Sequence, residues 1–130
     1  MRNVLIICLF LGLASCSGQE KRTHAFENVS VEKFQQLIKA KNAQLIDVRT
    51  PGEYEKGHLK DAMLIDFMNS NFKDIAFSEV DKDKPILVYC ASGGRSAKAA
   101  KIYKDAGFVK VYNLLGGFRA WKAKKLEIAK

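Results

Sequence analysis

Short apolar runs of strand length alternate with helical patterns along this chain, and that alternation restricts its fold more than any other feature. PILVYC, residues 85–90, is the clearest strand: it is made of strand formers, and its proline stands at the first position, where a strand tolerates one. It leads through small residues into an alanine-rich helix at 96–106, with Gly107 just beyond its end. QLIDV at 44–48 reads as a buried strand stopped by Thr50, Pro51 and Gly52. Residues 63–67 and 109–114 give two more strands. Ser30 caps a helix whose apolar stripe is Val31, Phe34, Leu37 and Ile38, ending near Lys41. A short helical turn is expected at 53–56 and a weak helix at 71–77. After Gly116 and Gly117, a last helix carries Phe118, Trp121 and Leu126. Strands that alternate with helices pair in parallel through right-handed crossovers. The predicted fold class is therefore α/β, a central and mainly parallel sheet flanked by helices on both faces.

The 130 residues make one domain, and 48% hydrophobic residues suffice for a modest core. With two prolines, nine glycines and no repeat at solenoid spacing, disordered and collagen-like classes are excluded. The net charge of +8 favours small anions and anionic surfaces. Its lysines are scattered, and no basic run interleaved with aromatics marks a nucleic-acid groove.

The N-terminus follows a different grammar. In MRNVLIICLFLGLASC, basic Arg2 precedes an apolar run from Val4 to Leu13 and then the small residues Ala14 and Ser15. The run is shorter than the ~20 apolar residues of a membrane span, so it reads as a secretory signal. Its ending, LASC, resembles the bacterial lipoprotein signal. That resemblance implies cleavage before Cys16, a lipid on its thiol and a domain exported and anchored on a bacterial membrane, facing the periplasm; a monomer is the default for a domain this small. The expected organisation is a signal at 1–15, the lipidated cysteine and polar tether at 16–24, and a globular domain at 25–130. Of the three cysteines, Cys8 leaves with the signal and Cys16 is consumed, so Cys90 is the lone thiol and no internal disulfide is possible. In an oxidising compartment such a thiol must be buried or used.

Cys90 ends its strand, where ligands bind in open α/β sheets. Ala91, Ser92, Gly93 and Gly94 are small enough for the backbone to curl and aim its N–H groups inward. The helix starting at Ser96 adds its positive end, and Arg95 adds a full charge. All three favour thiolate over thiol and make Cys90 a candidate nucleophile. A cysteine ending an apolar strand also serves simply as a buried hydrophobe. The Gly-Gly-Arg-Ser junction tips the reading towards chemistry, because a packing cysteine needs no such loop.

Three segments carry a resemblance. YCASGGRSAKAAKIYKDAGF is similar to the active-site segment of the rhodanese-like sulfurtransferases, with its C-x-x-G-x-R-S pattern. LIDVRTPGEYEKGHLKDA resembles their D-V-R…E-[FY]-x-x-G-H-[IL]-x-x-A segment, and LLGGFRAW resembles their L-x-G-G-x-x-A-W ending. The three lie in the family's order across residues 45–121. One departure is Asp61, where the family often has glycine in a turn. The resemblance implies that Cys90 accepts a sulfane sulfur and holds it as a persulfide, cradled by residues 91–95. It implies that Arg95 attracts a small anionic donor such as thiosulfate, and that the acceptor is a thiol, cyanide or a protein. No metal or organic cofactor is implied.

Asp47 and Arg49 are secondary candidates near the cleft, although an ion pair such as Arg49 with Glu53 would make them structural. His58 lacks a second histidine or cysteine at ligand spacing and reads as a hydrogen-bonded turn residue rather than a metal ligand. Phe118 and Trp121 read as core, and Gly116 and Gly117 as a tight turn. A cysteine-dependent phosphatase requires C-x5-R, whereas Cys90 to Arg95 is C-x4-R with no clearly placed general acid. The remaining alternatives are a noncatalytic binding module and a thiol-redox or sulfur-carrier role, the latter needing an external thiol because no resolving cysteine remains.

Overall fold

The computed structural model describes residues 25–130. The expected signal, Cys16 and the tether lie outside the described residues. Ten elements follow in order: β1 (Ala25–Val29), α1 (Val31–Lys39), β2 (Gln44–Asp47), α2 (Pro51–Glu55), β3 (Met63–Leu64), α3 (Phe72–Glu79), β4 (Ile86–Tyr89), α4 (Gly94–Asp105), β5 (Lys110–Leu114) and α5 (Gly117–Ala123). The strands form one sheet in the order β1-β5-β4-β2-β3, every pair parallel. No helix among the described residues is long and apolar enough to cross a membrane.

The side-chain alternation of β4 divides the core into two layers. Ile86, Val88 and Cys90 face one side, packed with Ala76 of α3 and Ala99, Ala100 and Tyr103 of α4. Leu87 and Tyr89 face the other, with Val31 and Phe34 of α1 and Phe118 and Trp121 of α5. Every β4 residue is fully buried, which is why its sequence is a continuous apolar run rather than an alternating one.

Several expectations change here. β1 carries no strand pattern in the sequence, yet residues 25–29 pair with β5 along their whole length and form one edge of the sheet. The strand expected over 63–67 shrinks to Met63–Leu64. Ile65 and Phe67 still donate to the Asp47 and Val48 carbonyls, but Asp66 accepts from the Met68 amide and turns the chain away. Ser30 caps α1 as expected, accepting from the Lys33 amide at 3.2 Å. α4 begins at Gly94, two residues before the expected start. Leu126 lies beyond the end of α5. Asp61, at the family's glycine position, adopts φ 64°, a left-handed turn that aspartate tolerates better than most residues.

Candidate active site

Cys90 stands immediately after β4, in the middle of the sheet, with 1% of its surface exposed. Its Sγ accepts hydrogen bonds from the Gly93 amide at 3.1 Å and the Ser96 hydroxyl at 3.3 Å. Gly93 makes the turn possible: at φ 107° it occupies a backbone region costly for residues with a Cβ, and its amide returns towards the sulfur three residues back. Ser96 is fully buried, and its hydroxyl also reaches the Gly93 carbonyl at 3.2 Å. Burial alone would push the Cys90 thiol up. The Ser96 hydroxyl and the amides of Ser96, Ser92 and Gly93 outweigh it, and the net direction is down, towards thiolate.

The loop is held from behind by α5. The Phe118 amide donates to the Cys90 carbonyl at 2.8 Å and the Arg119 amide to the Ala91 carbonyl at 3.0 Å. Peptide planes are rigid, so a carbonyl fixed towards α5 turns the N–H of the same peptide the opposite way. Gly117 permits the approach. It has φ 58°, and a Cβ there would lie 2.5 Å from the Cys90 carbonyl oxygen and 2.7 Å from the Ala91 carbonyl carbon. From sequence Gly117 reads only as part of a tight turn; its contact with the cysteine loop spans 27 residues and leaves no local pattern.

Arg95 does not extend freely into solvent. Its Nη1 and Nη2 form a fork onto the two carboxylate oxygens of Glu53, at 2.8 and 2.9 Å. Glu53 also accepts from the Thr50 amide and hydroxyl, completing a capping box at the start of α2. Arg95 above all, with help from Thr50, lowers the Glu53 carboxyl to about 2, so the pair is ionised at any physiological pH. The Arg49–Glu53 pair considered from sequence does not form, because Glu53 is already committed to Thr50 and Arg95.

Asp47 and Arg49 lie on the opposite side of the sheet from Cys90. Asp47 is in register with Tyr89 and is fully buried, while Arg49 is 3% exposed. The guanidinium donates to both Asp47 oxygens, at 2.8 to 3.1 Å, and to the Gly57 carbonyl at 2.7 Å. It stacks over Phe118 at 4.1 Å. The Tyr89 hydroxyl donates to Asp47 at 2.6 Å and accepts from the Leu59 amide. These contacts tie β2, β4 and the 57–59 turn together, and none of them is made to Cys90. His58 stacks on Tyr54 at 3.6 Å with Nδ1 2.9 Å from the Tyr54 carbonyl, in keeping with a turn histidine. No cluster of metal-ligating residues occurs among the described residues.

Comparison with known proteins converges on one group. Residues 30–124 match the rhodanese-like domain family. The chain is 33% identical to the uncharacterized protein YqhL of Bacillus subtilis, covering 96% of this chain and 100% of that one. It is 34% identical to the thiosulfate sulfurtransferase GlpE of Shewanella oneidensis over 75% of this chain and 93% of the relative. Among solved structures, a rhodanese-like domain protein from Staphylococcus aureus superposes with a TM-score of 0.65 at 30% identity, covering 80% of this chain and 99% of that one. A five-stranded parallel sheet that delivers a cradled cysteine to its carboxyl edge, together with relatives matched along nearly their whole lengths, makes this chain a member of the rhodanese-like sulfurtransferase family.

Proposed function

We propose that this protein moves a sulfane sulfur from a small anionic donor such as thiosulfate to a thiophilic acceptor through a persulfide on Cys90. The observation that carries the reading is the Cys90 sulfur itself, receiving the Gly93 amide and the Ser96 hydroxyl inside a turn of small residues. The thiolate attacks the outer sulfur of thiosulfate, a new S–S bond forms, and sulfite leaves with the electron pair of the broken one. Cyanide or a thiolate then attacks the outer sulfur of the persulfide and Cys90 returns as thiolate. Electrons balance in both steps without a redox cofactor. Donors already converging on the sulfur stabilise the anionic persulfide without reorganisation. The name of the Shewanella relative supports thiosulfate as the donor to try first.

In the same proposal Cys16 carries the lipid that keeps the monomeric domain at a membrane surface facing the periplasm. Replacement of Cys16 by alanine is expected to abolish incorporation of a labelled fatty acid into the protein.

The test of the chemistry is the intact mass of residues 17–130 after incubation with thiosulfate, beside Cys90→Ser. The expected result is a gain of one sulfur atom on the unaltered chain only, removed by cyanide with release of thiocyanate. An alkylatable Cys90 that never gains sulfur would end the sulfurtransfer reading in favour of a redox or binding role.

A further inference from the structure

Three arginines occur among the described residues, and two are committed. Arg49 is buried against Asp47 on the far face, and the fork of Arg95 is filled by the Glu53 carboxylate. Arg119 is exposed, and among the described residues its side chain has no carboxylate partner. Its backbone is nevertheless fastened to the site: the Arg119 amide lies 3.0 Å from the Ala91 carbonyl, and its neighbour Phe118 binds the Cys90 carbonyl. A long, permanently charged side chain therefore starts at the edge of the cysteine loop with its guanidinium bonded to no other described residue. Any anion that approaches the sulfur meets at Arg95 a guanidinium already neutralised by Glu53.

We infer that Arg119 is the specificity-determining cation that holds the anionic end of the molecule reacting at Cys90, the sulfonate end when that molecule is thiosulfate. Arg95 is then a positioning residue, which fastens the start of α4 to α2. The inference rests on the sulfurtransfer reading for the identity of the donor, but not for the preference for an anion.

The experiment uses the full chain in detergent, unaltered and as Arg119→Ala, Arg119→Glu and Arg119→Lys. One readout is KM and kcat for thiosulfate with cyanide as acceptor. The other is the rate of Cys90 alkylation by anionic iodoacetate relative to neutral iodoacetamide. Loss of a solvent-exposed charge contact predicts a rise in thiosulfate KM of about five-fold for Arg119→Ala, and more than about ten-fold for the charge reversal, with kcat held within about two-fold. Arg119→Lys is expected to stay close to the unaltered protein. The iodoacetate-to-iodoacetamide ratio should fall in the same order, while the iodoacetamide rate, which follows the thiolate and the integrity of the loop, stays constant. An unchanged KM and an unchanged ratio in Arg119→Glu would overturn the inference. If the unaltered chain takes no sulfur from thiosulfate but the ratio still falls, the sulfurtransfer reading fails and the anion-reading role of Arg119 stands.

Discussion

Two arginine–carboxylate forks stand near the carboxyl edge of the same sheet, one buried and one partly exposed, and they do different work. Arg49 and Asp47 are almost completely buried, 4% and 0% exposed by side chain, and the pair is held further by the Tyr89 hydroxyl on Asp47 and the Gly57 carbonyl on Arg49. Arg95 and Glu53 have similar geometry but are 27% and 35% exposed. Removing one partner of a buried pair strands a charge without water, whereas a half-exposed pair is screened and partly replaced by solvent. The first fork is therefore a fastening of the fold, and the second a fastening of the reactive loop.

The largest expected effect tests the buried fork. Arg49→Ala leaves Asp47 charged and unpaired and should cost about 3–5 kcal/mol in denaturant unfolding. The thiol titration of whatever remains folded should be unchanged, and a shift in that titration would join the two faces that the structure separates. Next comes Gly117→Ala. The added Cβ meets the Cys90 carbonyl, and the left-handed backbone costs alanine about 1–2 kcal/mol before the clash is counted. Sulfurtransfer is expected to fall more than about ten-fold, because displaced donors weaken stabilisation of the anionic sulfur. Gly52→Ala, in α2 where a Cβ meets nothing, serves as the control.

Ser96→Ala has a smaller effect on stability, about 1 kcal/mol for the lost hydroxyl bonds. Its main signature is electrostatic: removal of a donor to the sulfur raises the Cys90 pKa, so the iodoacetamide rate profile moves to higher pH. The sign of the linkage follows. With its pKa lowered in the folded state, Cys90 contributes stability above the unfolded-state thiol value and loses it as pH falls through the folded value, so Ser96→Ala should flatten the rise of stability with pH in that window. The smallest expected change is Glu53→Gln, worth under about 1 kcal/mol because the pair is partly exposed. The contribution of this carboxylate is present above the ordinary carboxyl range and is lost only as pH falls towards about 2, so stability differences between Glu53→Gln and the unaltered chain should stay constant across neutral pH.

What could be read in the sequence follows the same division between local and distant contacts. The continuous apolar run of β4, the Ser30 cap and the small residues after Cys90 are local signals, and each predicted its structure. β1 escaped because AFENV lacks a clear period: Phe26 packs into one layer, Val29 into the other, and Glu27 and Asn28 are exposed. It is a strand only because β5 lies beside it. The partner of Glu53 escaped for the same reason, since Arg95 is 42 residues away and Arg49 only four. The role of Gly117 was hidden in a motif that reads locally as a turn.

The brace from α5 also has a consequence for the order of events during synthesis. Cys90 is made well before Phe118 and Arg119, the residues whose amides fix its loop, and β1 waits for β5 before it has any partner in the sheet. Chains emerge amino end first. A nascent chain that has passed α4 but not yet α5 therefore presents the cysteine without its brace, and the arrangement that tames the sulfur is among the last parts of the molecule to be completed.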